Sequence, residues 1–223
     1  MMFIFIMASL NSCTDFIAGP DLESDWLVID NDTIVLHFRP KGFSSSASPT
    51  LDQAQSIVDN QQLYYSRIQD SIRKDYDDKV LIYLYNQDEA QDNIGTDGGG
   101  HSIPKLNTFY YTFITGRPDF TDHFDRKNPI IGAHELVHVI THRALGYPGT
   151  KLMSEGYANW LDGSYGRRDI IQIMQTYRDE KSGNIMNPDQ LLYESISTEA
   201  VYYPNCGVFT RFIISEYDIE TVN

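Results

Sequence analysis

NPIIGAHELVHVITHRALG, residues 128–146, carries two histidines and a glutamate among aliphatic neighbours. The pattern predicts one helix over 129–145. Asn128 is a favourable N-cap, Pro129 suits the first helical position, and Gly146 with Pro148 supplies a stop. At about 100° per residue, His134 and His138 fall roughly 40° apart on one face, with Glu135 on the flank of the same arc. Leu136 and Ile140 point the other way, toward a core. Three polar groups on an apolar helix need partners, because burying them unpaired is costly.

The rest of the chain narrows what those partners are. Its 223 residues make one domain with a small N-terminal extension the simplest organisation. A hydrophobic share of 41% and an aromatic share of 13% supply a core and exclude the disordered class. Against 17 Lys and Arg stand 31 Asp and Glu, a net charge of −14. That balance disfavours nucleic acid and anionic lipid headgroups, which need basic patches, and is otherwise a device for solubility.

The opening MMFIFIMASLNSC has the form of an export signal rather than of a folded element. Residues 3–10 are apolar but too few to span a bilayer. Leu10-Asn11-Ser12-Cys13 resembles the lipobox of bacterial lipoproteins, which implies cleavage after residue 12, a lipid on Cys13 and a tether over 13–27. No Lys or Arg precedes the apolar run, a departure from that pattern; the first basic residue is Arg39. The expected location is the bacterial cell envelope, held to the membrane only through the lipid anchor, with periplasmic release or secretion as the alternatives. Cys206 is then a buried small hydrophobe. A Cys13–Cys206 disulfide is the other option in an oxidising compartment.

From residue 28 to 223 the pattern is that of an α+β domain: strands first, helices afterwards. Strands are expected over 33–39, 79–86 and 107–114, with a helix over 51–73 between the first two. NIGTDGGGHSIPK (93–105) lacks the spacing of either nucleotide fingerprint. It reads as a flexible turn before an edge strand, with His101 an exposed loop residue. Helices are expected over 129–145, 154–162, 166–180, 187–196 and 198–217. The stop directly after the last helix is that of a fragment or of a domain lacking a small terminal element.

His134-Glu135-Leu136-Val137-His138 is an HExxH motif. Two imidazoles four residues apart on a helix can be directed at one zinc ion, and the intervening glutamate stands beside the open position as a proton acceptor. A third histidine six residues after His138 is missing, because that position is Ala144. Glu155, 17 residues after His138, lies far enough on for a turn and a second helix to present a carboxylate. In its setting, LMSEGYANWLDG, it resembles the gluzincin metallopeptidases, the group of thermolysin-like and aminopeptidase N-like enzymes. Carried over by match, the ligands of one Zn2+ are His134, His138 and Glu155, and Glu135 is the general base.

The stretch YYPNCGVFTRFIISEY resembles a pattern of peptidase MA-like proteins at Tyr203, Gly207, Phe209 and Ile213. The resemblance implies a tyrosine that stabilises the oxyanion, Tyr203 with Tyr202 as rival. Some gluzincins place a carboxylate at the position of Asn159 to orient a zinc histidine; here it is an amide, and Asp162 is the alternative. His142 is expected to cap the helix C-terminus, and Met153, Trp160 and Leu161 to be core. The implied zincin-like domain hydrolyses peptide bonds, as an endo- or an aminopeptidase, with substrate lying along an edge strand at 107–114. The alternative is an inactive zinc-site lipoprotein that binds peptides or glycans.

Overall fold

Alternation in IVLHF and the apolar runs VLIYLYN and TFYYTF make the three central strands of a mixed sheet. The computed structural model describes residues 26–39, 47–94, 99–116, 119–193 and 198–219. The leader, most of the tether and Cys13 lie outside the described residues. Sheet order is β1 (Leu27–Asp30), β2 (Ile34–Phe38), β3 (Val80–Asn86), β5 (Thr108–Phe113), β4 (Gly100–Ile103). The three central strands are parallel and both outer pairings antiparallel. The β2–β3 crossover is α1 (Leu51–Ile72), opened by a capping box between Thr50 and Gln53 and closed by Arg73 in the left-handed conformation.

The two sheet faces are chemically distinct because side chains alternate across a strand. Ile34, Leu36, Val80, Ile82, Leu84 and Phe109 face α1, burying Ile57, Tyr64 and Ile68 between sheet and helix. On the other face His37, Tyr83 and Tyr110 stand in register across three strands, ring centroids 4.7 and 5.3 Å apart and nearly parallel. α2 (Gln87–Ile94) contributes the buried Ala90 to this aromatic layer.

The C-terminal half is helical: α3 (His134–Ala144), α4 (Lys151–Asp162), α5 (Ile170–Asp179), α6 (Pro188–Leu192) and α7 (Glu199–Tyr217). Between α4 and α5 lies a two-stranded hairpin, β6 (Ser164–Tyr165) and β7 (Arg168–Asp169). It displaces the expected start of α5 from 166 to 170. The mixed α+β layout, sheet first and helices after, agrees with the expectation. Among the described residues no helix is long and apolar enough to cross a membrane.

Three expectations are corrected. Strand 107–114 is not an edge: β5 is paired on both sides, and the edge is β4, built from the glycine-rich segment itself. A strand of Gly-His-Ser-Ile gains its place through backbone pairing, so its sequence carries little strand signal. His101 is accordingly an exposed strand residue rather than part of a loop. Nor does the helix begin at Asn128. That residue has φ 51°, accepts a hydrogen bond from Phe120 N–H at 2.7 Å and donates one to Asp119 at 2.9 Å, closing a loop instead. α3 starts at His134, and the Ala133 N–H is satisfied by the Asp162 carboxylate, 2.7 Å away on α4. A remote carboxylate does what a local N-cap would otherwise do.

α4 and α7 approach closely through small residues. A Cβ on Gly156 would stand 1.9 Å from Thr210 Oγ1, and one on Gly207 would stand 2.8 Å from Asn159 Cβ. Pro204 inside α7 leaves the Ala200 carbonyl without its helical donor. The Tyr177 hydroxyl, on α5, donates to that carbonyl at 3.0 Å. Gly156→Ala should overpack the α4–α7 seam and lower unfolding free energy by about 1–3 kcal/mol. Urea denaturation measures it, and adding Thr210→Ala should recover part of the loss.

Candidate metal centre

α3 and α4 bring together the three side chains expected as ligands. His134 and His138 are one turn apart, their rings 4.9 Å between centroids and nearly perpendicular. Thr150 caps α4 by accepting from Met153 N–H, so the helix begins early enough for Glu155 to sit in its second turn. Glu155 Oε2 then lies 3.4 Å from His134 Nε2 and 3.6 Å from His138 Nε2. One ligand atom from each residue falls within 4.8 Å of the others, a geometry that could hold a metal ion.

The electrostatics of the trio are unusual for a protein interior. Glu155 Oε2 is buried and has no hydrogen-bond partner, although both imidazole nitrogens stand close beside it. Burial works to raise the Glu155 carboxyl, yet the two imidazoles beside it hold it well below the usual carboxylate range. Burial likewise works to lower His134, but Glu155, Glu135 and Asp162 outweigh it and lift the imidazole to about 9. The pocket thus favours positive charge at the point between these three groups. A dication entering it would compete with the His134 proton.

Glu135 is buried on the wall of a cleft of about 1490 Å³ that also contains the trio. Its Cγ packs against the backbone of β4: a Cβ added to Gly100 would stand 2.6 Å from it. One side of the cleft is the segment from Gly99 to Leu106, the other the β6–β7 turn with Tyr165 and Arg167.

The structure separates the two tyrosine candidates. The Tyr203 ring lies nearly parallel to that of His134, 6.1 Å between centroids, and lines the cleft. Its hydroxyl donates to Glu199 at 3.4 Å. Burial, then Glu155 and Glu199, push its pKa far up, so it remains a donor. Tyr202 turns away: its hydroxyl donates to the Leu191 carbonyl at 3.1 Å, and its ring packs with Leu152, Leu191 and Cys206. Cys206 is buried, as expected of a small hydrophobe, and is without a disulfide among the described residues; Cys13 lies outside them.

Asn159 and Asp162 brace the site from behind. The fully buried Asn159 amide donates to the Glu155 carbonyl at 2.8 Å, steadying the backbone that carries the glutamate. Asp162 accepts from Ala133 N–H and from Ser164 Oγ at 2.6 Å, and so fixes the start of the histidine helix. Burial raises its pKa, with Ser164 and His134 opposing. Leu161 is buried; Met153 and Trp160 pack against the core while partly exposed.

His142 departs from expectation. Its Nε2 lies 3.0 Å from Ser154 Oγ on α4, which is 3.3 Å from His138 Nδ1. Burial, then the neighbouring His138, lowers its pKa to about 4, so it is not a charged cap on the α3 C-terminus. Ser154 was missed in the sequence; its one signal is adjacency to Glu155 in the SEG triplet.

No protein-family model matches the chain, and neither does any curated protein. Asp162→Ala should orphan the Ala133 donor and lower unfolding free energy by roughly 1–3 kcal/mol. Asp162→Asn, which retains an acceptor, should keep most of that stability; thermal unfolding of the two variants decides it.

Proposed function

We propose that the chain is a zinc-dependent peptidase of the gluzincin kind, with His134, His138 and Glu155 as ligands and Glu135 as general base. The observation that carries the proposal is the buried Glu155 Oε2, bare of hydrogen bonds and 3.4 and 3.6 Å from two imidazole nitrogens. Bonds of about 2.0–2.1 Å to a tetrahedral zinc separate its donors by about 3.4 Å. Two nitrogens and one carboxylate oxygen form the donor set of a catalytic site that keeps a position open. The edge strand β4 packed against α3 supports a zincin-like domain.

A zinc ion held by His134, His138 and Glu155 would polarise the scissile carbonyl and lower the pKa of a water toward about 7. Glu135, on the same helical turn as the two histidines, takes the proton from the attacking water and returns it to the departing amine. Tyr203, protonated and facing the cleft, donates to the oxygen of the carbonyl as negative charge develops. A peptide pairs through its backbone with the free side of β4, where Gly100 lets the strand lie close to Glu135. The apolar N-terminal run and the likeness of Leu10–Cys13 to a lipobox support a location in the cell envelope.

Purified protein should hold about one zinc per chain and cleave members of a peptide library. Glu135→Gln should lower kcat/KM by about 10²–10⁴ while zinc content stays unchanged. A chain that takes up no zinc, or a Glu135→Gln variant with full activity, overturns the proposal. Zinc uptake and peptide or glycan binding without turnover would favour the binding-protein reading instead.

A further inference from the structure

We propose that Ser154 and His142 form a positioning pair for His138, ordering the imidazole so that its Nε2 is presented to the metal. This rests on reading the trio as a metal site. His138 is buried, and its two nitrogens face opposite demands: Nε2 lies 3.6 Å from Glu155 Oε2, and Nδ1 lies 3.3 Å from Ser154 Oγ. Ser154 Oγ is in turn 3.0 Å from His142 Nε2. His142 stands on α3 one turn beyond His138, and Ser154 stands on α4 directly before Glu155. The pair therefore joins the two helices that supply ligands at the level of the site.

Ligand chemistry sets the direction of the chain. An imidazole that coordinates through Nε2 carries its proton on Nδ1, and that proton needs an acceptor. Ser154 Oγ is the acceptor within reach. A hydroxyl that accepts still has one proton to give, and His142 Nε2 takes it with its lone pair. The sequence is His138 Nδ1–H to Ser154 Oγ, then Ser154 O–H to His142 Nε2. Without His142 the hydroxyl is free to rotate and can present its own proton to His138 Nδ1, which favours the tautomer unable to ligate through Nε2. A backing acceptor of this kind also raises the basicity of the ligating nitrogen.

The test uses the full chain and zinc alone, read by competition with a chromophoric chelator. Ser154→Ala and His142→Phe should each weaken zinc binding by about 10–100-fold. Ser154→Thr keeps the hydroxyl and His142→Gln keeps an acceptor, so both should stay near the unsubstituted affinity. Cobalt substitution adds a spectroscopic readout: the visible absorption band should change shape in Ser154→Ala and His142→Phe and recover in the conservative pair. Urea unfolding of the metal-free variants separates loss of fold from loss of affinity. If Ser154→Ala does not fold, His142→Phe, on the cleft wall, decides alone. Unsubstituted protein that binds zinc, with Ser154→Ala or His142→Phe variants that bind it equally well, overturns the positioning role and leaves the metal site intact. Unsubstituted protein that binds no zinc overturns the metal reading, and the positioning role with it.

Discussion

A buried carboxylate oxygen wedged between two imidazoles, with no hydrogen bond to satisfy it, is the constraint on which the rest of the structure depends. Interiors rarely tolerate such an arrangement, since an ionised group removed from water must regain its solvation from neighbours. Here the return comes from charge: the imidazoles lower the carboxylate pKa, and the carboxylates around His134 raise its own. The compensation depends on how α3 and α4 are held against each other.

Much of the molecule serves that placement, and α4 is its hub. At its start Ser154 reaches toward His138 and His142; at its end Asp162 holds the first backbone donor of α3. On the opposite face Gly156 admits Thr210, drawing α7 close enough to lay Tyr203 alongside His134. Behind α3, Leu136, Val139 and Ile140 are buried in the layer shared with α1 and the sheet. Each such side chain contributes about 1.5–3 kcal/mol of burial free energy. The apolar face of α3 thus anchors the polar one, as its sequence pattern required.

What the sequence disclosed follows the range of each interaction. The relation of His134 to His138 is a property of one helical turn and could be read directly. Glu155 was legible from its spacing and from the Gly-Tyr-Ala that follows it. Asn128 misled because the true cap, Asp162, lies 29 residues from the donor it satisfies. β4 escaped because Gly100 and Ser102 carry no strand propensity, and its existence rests on a partner strand. The Ser154–His142 link depends on how two helices sit side by side, which no local pattern encodes. Tyr202 and Tyr203 could be told apart only by the rotation of α7 against α4.

Gly100 has a wider consequence for the proposed peptidase. On that reading the outermost strand meets Glu135 with bare main chain at Gly100, so recognition beside the reacting centre would be blind to residue type. Discrimination among ligands is left to the rim, where Leu106 and Tyr147 stand mostly exposed and Arg167 lies on the facing turn. If the proposed peptidase activity holds, chemistry and selectivity are housed in separate parts of the molecule, and the rim is free to vary while the machinery beneath it stays fixed.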